Sequence, residues 1–110
     1  MSRKLKRAFL SFNRRYFNGR LPKETEVKYS KKIFRKHHFL GHAIYLKNAL
    51  SLIRIAKELK RTPTIAQLVL LHEMCHIALM QQGRFLENHG TRFQKLMLKL
   101  AKKGAFKDLW

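Results

Sequence analysis

The chain has 110 residues and a mass of 13.1 kDa, with 25 Lys and Arg against 6 Asp and Glu, a formal charge of +19. Residues 1–110 are read as a single small domain, because this length excludes two independent cores. A 45 % hydrophobic share excludes a disordered basic tail. The single cysteine, Cys75, excludes an internal disulfide and a four-thiolate metal site and points to the reducing cytoplasm.

Residues 3–17 are predicted to form an amphipathic helix. Leu5, Ala8, Phe9, Phe12 and Tyr16 recur at three- and four-residue steps. Ser2 is placed to cap its start and Asn18-Gly19 to stop it. Arg3, Lys4, Arg7, Arg14 and Arg15 fall off the apolar stripe. Met1–Arg7 is too basic, and Ala8–Phe12 too short, for a secretory signal. Leu21-Pro22 then forces an extended turn.

Residues 26–56 read as short strands whose register the sequence leaves open. Val27 and Tyr29 alternate with polar residues, Ile33-Phe34 opens a second stretch, Ala43–Leu46 gives a third and Ser51–Ala56 a fourth. His37, His38 and His42 are expected at the surface near a sheet edge. Glu58–Arg61 reads as a turn or short helical segment.

Residues 64–82 are predicted as a buried helix, apolar on most faces. Thr64 and Gln67 fit a capping box, Pro63 a helix start and Gly83 a terminator. The run Ile65–Met80 is interrupted by Gln67, His72, Glu73 and His76, so no membrane span is expected. Residues 91–103 are predicted as a final helix, again with a capping box, Thr91 and Gln94. Phe93, Leu96, Met97 and Leu100 face inward, and Arg92, Lys95, Lys99, Lys102 and Lys103 share the outer face.

Positive charge is absent between Thr62 and Gly83 and dense on both sides. Such an excess calls for a polyanion, most commonly nucleic acid bound through its phosphates. The two basic helix faces, at 3–15 and 92–103, are the expected phosphate tracks; an ordinary solvated face is the plain alternative.

The chemistry concentrates in His72-Glu73-Met74-Cys75-His76. Residues i and i+4 of a helix lie on one face, so both imidazoles can reach one metal ion. Glu73 is rotated about 100° away from His72. It is free to act on water at an open coordination position, as in hydrolases of the His-Glu-x-x-His type. Three ionisable groups in an otherwise apolar helix would be costly to bury without such a role. A third ligand is needed: His89, 13 residues after His76, is the best placed, and Glu87 is its rival. Cys75 is read as a small, inert core residue.

Taken in order, Tyr16-Phe17-Asn18-Gly19-Arg20-Leu21-Pro22, Ile53-Arg54-Ile55 with Leu59, Leu70–Ala78 and Asn88-His89-Gly90-Thr91-Arg92-Phe93 resemble the SprT-like, or Spartan-type, metalloprotease family over most of the chain. The resemblance implies an α+β, zincin-like minimal metalloprotease domain: an N-terminal helix, a small antiparallel sheet, the metal helix and a closing basic helix. It implies Zn2+ held by His72, His76 and His89 with Glu73 as general base. It also implies a monomeric endopeptidase that acts on DNA-bound or DNA-crosslinked proteins, with single-stranded or junction DNA as partner and the cytoplasmic nucleoid or a nucleus as location. The zinc ribbon common in the family needs several cysteines and this sequence has one, so DNA contact is expected from the domain's own basic faces. A basic DNA-binding module with a structural zinc site, and a peptidase specific for one regulator, are the competing readings.

Overall fold

The structure is a computed structural model and describes residues 3–46, 51–83 and 89–106. Ser2, Glu87, Asn88 and Lys107, and so the expected Ser2 cap and the Glu87 alternative, lie outside the described residues.

Helix α1 spans Arg3–Tyr16 and buries Leu5, Phe9 and Phe12, with Ala8 and Tyr16 packed at the margin, so the apolar stripe falls where its period placed it. Its end is built by Asn18 and Gly19, at φ 55° and 70°, a left-handed pair that lets the Gly19 amide return to the Asn13 carbonyl at 2.9 Å. The buried Asn13 side chain holds the following loop. Its Nδ2 donates to the Leu21 carbonyl and its Oδ1 accepts from the Leu21 amide, both at 3.0 Å.

Strands β1 (Glu26–Ser30), β2 (Gly41–Tyr45) and β3 (Ser51–Ala56) form one sheet in the order β1-β3-β2. The sheet is mixed, where an all-antiparallel one was expected. β2 runs antiparallel to β3, with Ala43 opposite Ile53, while β1 runs parallel to β3, with Val27 opposite Ile53. Two chain reversals separate β1 from β3 and restore its direction, and β3 inserts between its predecessors. The reason is compositional: Leu52, Ile53, Ile55 and Ala56 are all buried, and a strand buried on both faces takes the centre.

Ile33-Phe34 does not open a strand. Ile33–His37 is a short helix, α2, and the amides of Lys32 and Ile33 at its start donate to Ser30 Oγ at 3.3 Å. The local turn made by these two bonds to Ser30 therefore overrides the strand signal of the two apolar residues. Lys57–Arg61 forms a 3-10 turn, within the expectation for that segment.

Helix α3 spans Pro63–Gln81. The expected Thr64 capping box is not formed, because Pro63 takes the first helical position and puts Thr64 inside the helix; the N-cap is Thr62, and its hydroxyl donates to the Leu59 carbonyl instead. By length and composition alone α3 could cross a membrane. Its Leu70, Leu71, Met74 and Ile77 are instead fully buried in a core shared with α1, β3 and helix α4 (Thr91–Lys102). The Cys75 thiol, pushed up to about 12 by burial and then by Glu73, stays protonated and meets Met97 Sδ at 3.5 Å, fastening α3 to α4. Thr91 does not cap α4 either: the N-cap is Gly90.

Candidate metal centre

His72 and His76 project from one face of α3, as the i, i+4 spacing requires. His89 arrives just before α4. The three Nε2 atoms converge, 2.9 Å apart for His72–His89, 3.3 Å for His72–His76 and 3.2 Å for His76–His89. Ligands at 2.0–2.1 Å around a tetrahedral ion lie about 3.3 Å from one another, so this triangle matches the face of such a shell. Three nitrogen lone pairs aimed at one point repel unless a cation sits among them. The His72-His76-His89 cluster could hold a metal ion.

The supporting residues act on all three rings. Phe93, buried on α4, stands 4.8 Å from the His72 ring, 4.6 Å from His76 and 5.0 Å from His89, centroid to centroid. It touches every imidazole and limits how each can turn. From the sequence, Phe93 is expected on the inner stripe and in the family-like segment that carries His89; its contact with all three rings is the addition of the structure. Gln94 Nε2 donates to the His89 carbonyl at 3.2 Å, so the side chain expected in a capping box anchors the backbone of His89 instead.

The electrostatics suit ligation. Burial, followed by the neighbouring His72 and His89, lowers His76 to about 4; burial and then His89 lower His72. Both rings are therefore neutral at pH 7, the form that binds metal.

Glu73 points to the other side of the same pocket. It is 7 % exposed, and burial pushes its carboxyl up to about 7. Its room comes from Gly41 at the start of β2. A Cβ at Gly41 would stand 2.5 Å from Val69 Cγ1 and 2.8 Å from Glu73 Oε2. Only glycine allows strand and carboxylate to approach this closely. The signal in the sequence was a lone glycine opening a strand.

The three histidines and Glu73 share a pocket of about 720 Å³ walled by His38, Phe39, Gly41 and His42 on one side and Met97 and Phe106 on another. His89 is exposed and His72 and His76 half-buried, so solvent reaches the cluster. His37 and His38 are exposed as expected, although on α2 and its left-handed cap. His42 lies on the edge strand β2; burial, then Arg54 and His37, lower its pKa. The cations Arg3, Lys4, Arg7, Arg14 and Arg15 of α1, and Arg92, Lys95, Lys99, Lys102 and Lys103 of the α4 region, are all exposed.

The model of the SprT-like family matches residues 5–108, nearly the whole chain and every element described above. The chain belongs to the SprT-like family. Its α+β architecture, with three histidines gathered from the long helix and the turn just before the last one, is that of a metallopeptidase-type SprT-like domain. Among curated proteins no match was found.

Proposed function

We propose that this SprT-like domain is a zinc-dependent endopeptidase acting on proteins bound or crosslinked to DNA. The observation that carries the hydrolytic part is the shared pocket: three converging imidazoles and a buried carboxylate open onto one space beside a strand edge. His72, His76 and His89 would hold the ion, and three protein ligands leave a fourth position open, as catalytic sites do and structural sites do not. Zinc bound there supplies Lewis acidity, which polarises a carbonyl and makes water easier to deprotonate. Glu73, wedged against Gly41, takes the proton from the attacking water and returns it to the leaving amine. A carboxylate near neutral pKa can do both. β2 pairs with β3 on one side and stands at the edge of the sheet, so an extended peptide can add to it as a further strand and pass the pocket.

The DNA part rests on charge. The +19 excess and the exposed α1 and α4 faces suit a phosphate backbone, which would bring the enzyme to substrates in the nucleoid or nucleus.

Replacing Glu73 by Gln tests the reading. Cleavage of a basic protein such as a histone should fall by about 10²- to 10⁴-fold, with zinc content and DNA binding retained. Equal cleavage by E73Q with zinc still bound would contradict the role given to Glu73. Stimulation of the wild type by single-stranded DNA at low salt, fading at high salt, is expected; its absence at every salt concentration would remove DNA from the account and leave the peptidase.

A further inference from the structure

A second concavity lies away from the metal cluster and shares no wall residue with it. It measures about 710 Å³. Its walls carry six cations from separate parts of the chain: Arg3 and Lys4 of α1, Lys28 of β1, Lys31 just after it, and Lys57 and Lys60 of the 3-10 turn. No carboxylate is among its walls. Among the described residues, Glu26 pairs with Lys28 at 3.5 Å, and both side chains are about half exposed, so the pair is weak. Lys60 Nζ sits 5.3 Å from the centre of the Tyr29 ring, which forms part of the wall and holds the ammonium toward the basin.

The basin differs from the basic helix faces in shape. On α4 the cations spread over a convex surface. Here α1, β1 and the 3-10 turn aim theirs into one hollow, where like charges raise the potential together and low-dielectric walls focus it. Bringing six positive groups together costs mutual repulsion, which an anion bound in the hollow would relieve. Four of them, Lys28, Lys31, Lys57 and Lys60, lie outside the two phosphate tracks expected from the sequence, because only the pairing of β1 with β3 brings their segments side by side.

We propose that this basin binds a run of consecutive phosphate groups, supplied either by a single-stranded nucleic-acid backbone or by a free polyphosphate. It does not depend on hydrolysis at the metal centre, and binding alone is read, so its failure would leave the peptidase reading standing.

The test compares the full-length wild type with two variants: Lys28→Gln/Lys57→Gln/Lys60→Gln in the basin and Lys95→Gln/Lys99→Gln/Lys102→Gln on α4. The probes are a short oligothymidylate and tripolyphosphate, titrated across a range of salt. The basin variant should bind at least one probe about tenfold or more weakly than the α4 variant does. For the oligonucleotide its log–log salt slope should be smaller than that of the wild type by about 2, at roughly 0.7 per cation removed from a single-strand contact. Loss of both probes assigns the shared phosphate chemistry, loss of the oligonucleotide alone assigns nucleic acid, and loss of tripolyphosphate alone assigns a free polyphosphate. The Arg-for-Lys version of the basin variant should keep binding, which separates lost charge from lost fold. Binding by the basin variant equal to that of the wild type, or losses equal to those of the α4 variant, would overturn the proposal.

Discussion

At the scale of single residues, Gly41 and Glu73 fit closely together, and the proposed chemistry rests on that fit. The carboxylate has its place because the strand opposite carries no side chain, and a Cβ there would press on both Val69 and Glu73 Oε2. Gly41→Ala should therefore lower kcat for peptide cleavage by about tenfold or more while the zinc content stays near that of the wild type, since the contacts of residue 41 are with Val69 and Glu73; loss of metal in parallel with activity would place the damage in the fold instead. Burial of Glu73 also has a consequence for the metal-free protein. Its native pKa, about 7, lies above the ordinary 4.5, so the folded state keeps a proton that the unfolded chain releases, and stability falls as pH rises through that window. His76, lowered from 6.5 to about 4, acts in the opposite sense: the unfolded chain takes up a proton that the folded ring refuses, and stability rises with pH between those values. The two contributions largely offset each other. E73Q removes the first, so the metal-free variant should gain on the wild type from pH 5 to pH 8. The gain should reach up to about 3 kcal/mol, since each pH unit separating folded from unfolded pKa is worth about 1.4 kcal/mol. Urea unfolding in chelator across that range measures it, and a constant difference would contradict a Glu73 pKa raised by burial.

At the scale of elements, the long-period patterns were legible and the local ones less so. Leu5, Phe9 and Phe12 marked α1 by spacing, because burial of one helix face depends on a period that sequence displays directly, and the interrupted apolar stretch Ile65–Met80 marked α3 as central because it is apolar on most faces. The mixed sheet was hidden. Which strand sits in the middle depends on long-range pairing, and the one cue was that β3 is apolar at consecutive positions where β1 alternates. Both expected capping boxes failed for a similar reason: the N-caps are Thr62 and Gly90, which precede the threonines that carried the signal, so those threonines lie inside their helices. Asn13 went unnoticed altogether, since a polar residue inside a basic helix gives no periodic signal; only the fold shows it buried and bonded to both backbone groups of Leu21. Asn13→Ala leaves those groups without their partner and should destabilise the protein by about 1–3 kcal/mol. Thermal unfolding will report it, and an unchanged midpoint would mean that the loop after α1 is held by other contacts.

At the scale of the molecule, a core helix without Lys or Arg carries two of the three clustered histidines, and dense positive charge flanks it in sequence. The His72, Glu73 and His76 part of the site was readable because helical spacing fixes it. The arrival of His89 depended on the chain between α3 and α4, and the structure brings its Nε2 within 3.2 Å of the other two where spacing alone left Glu87 in contention. The basin at Tyr29 could not be read at all, because it is assembled from segments distant in sequence. The hydrolysis proposed above requires three imidazoles to converge on one ion, and metal content is the most direct test of that convergence. Full-length protein purified without chelator, then dialysed against zinc, should hold one ion per chain, and His89→Ala should hold it at least about tenfold more weakly while Glu87→Ala holds it as the wild type does. A wild type that retains no ion, or a His89→Ala variant that retains it undiminished, would contradict the account.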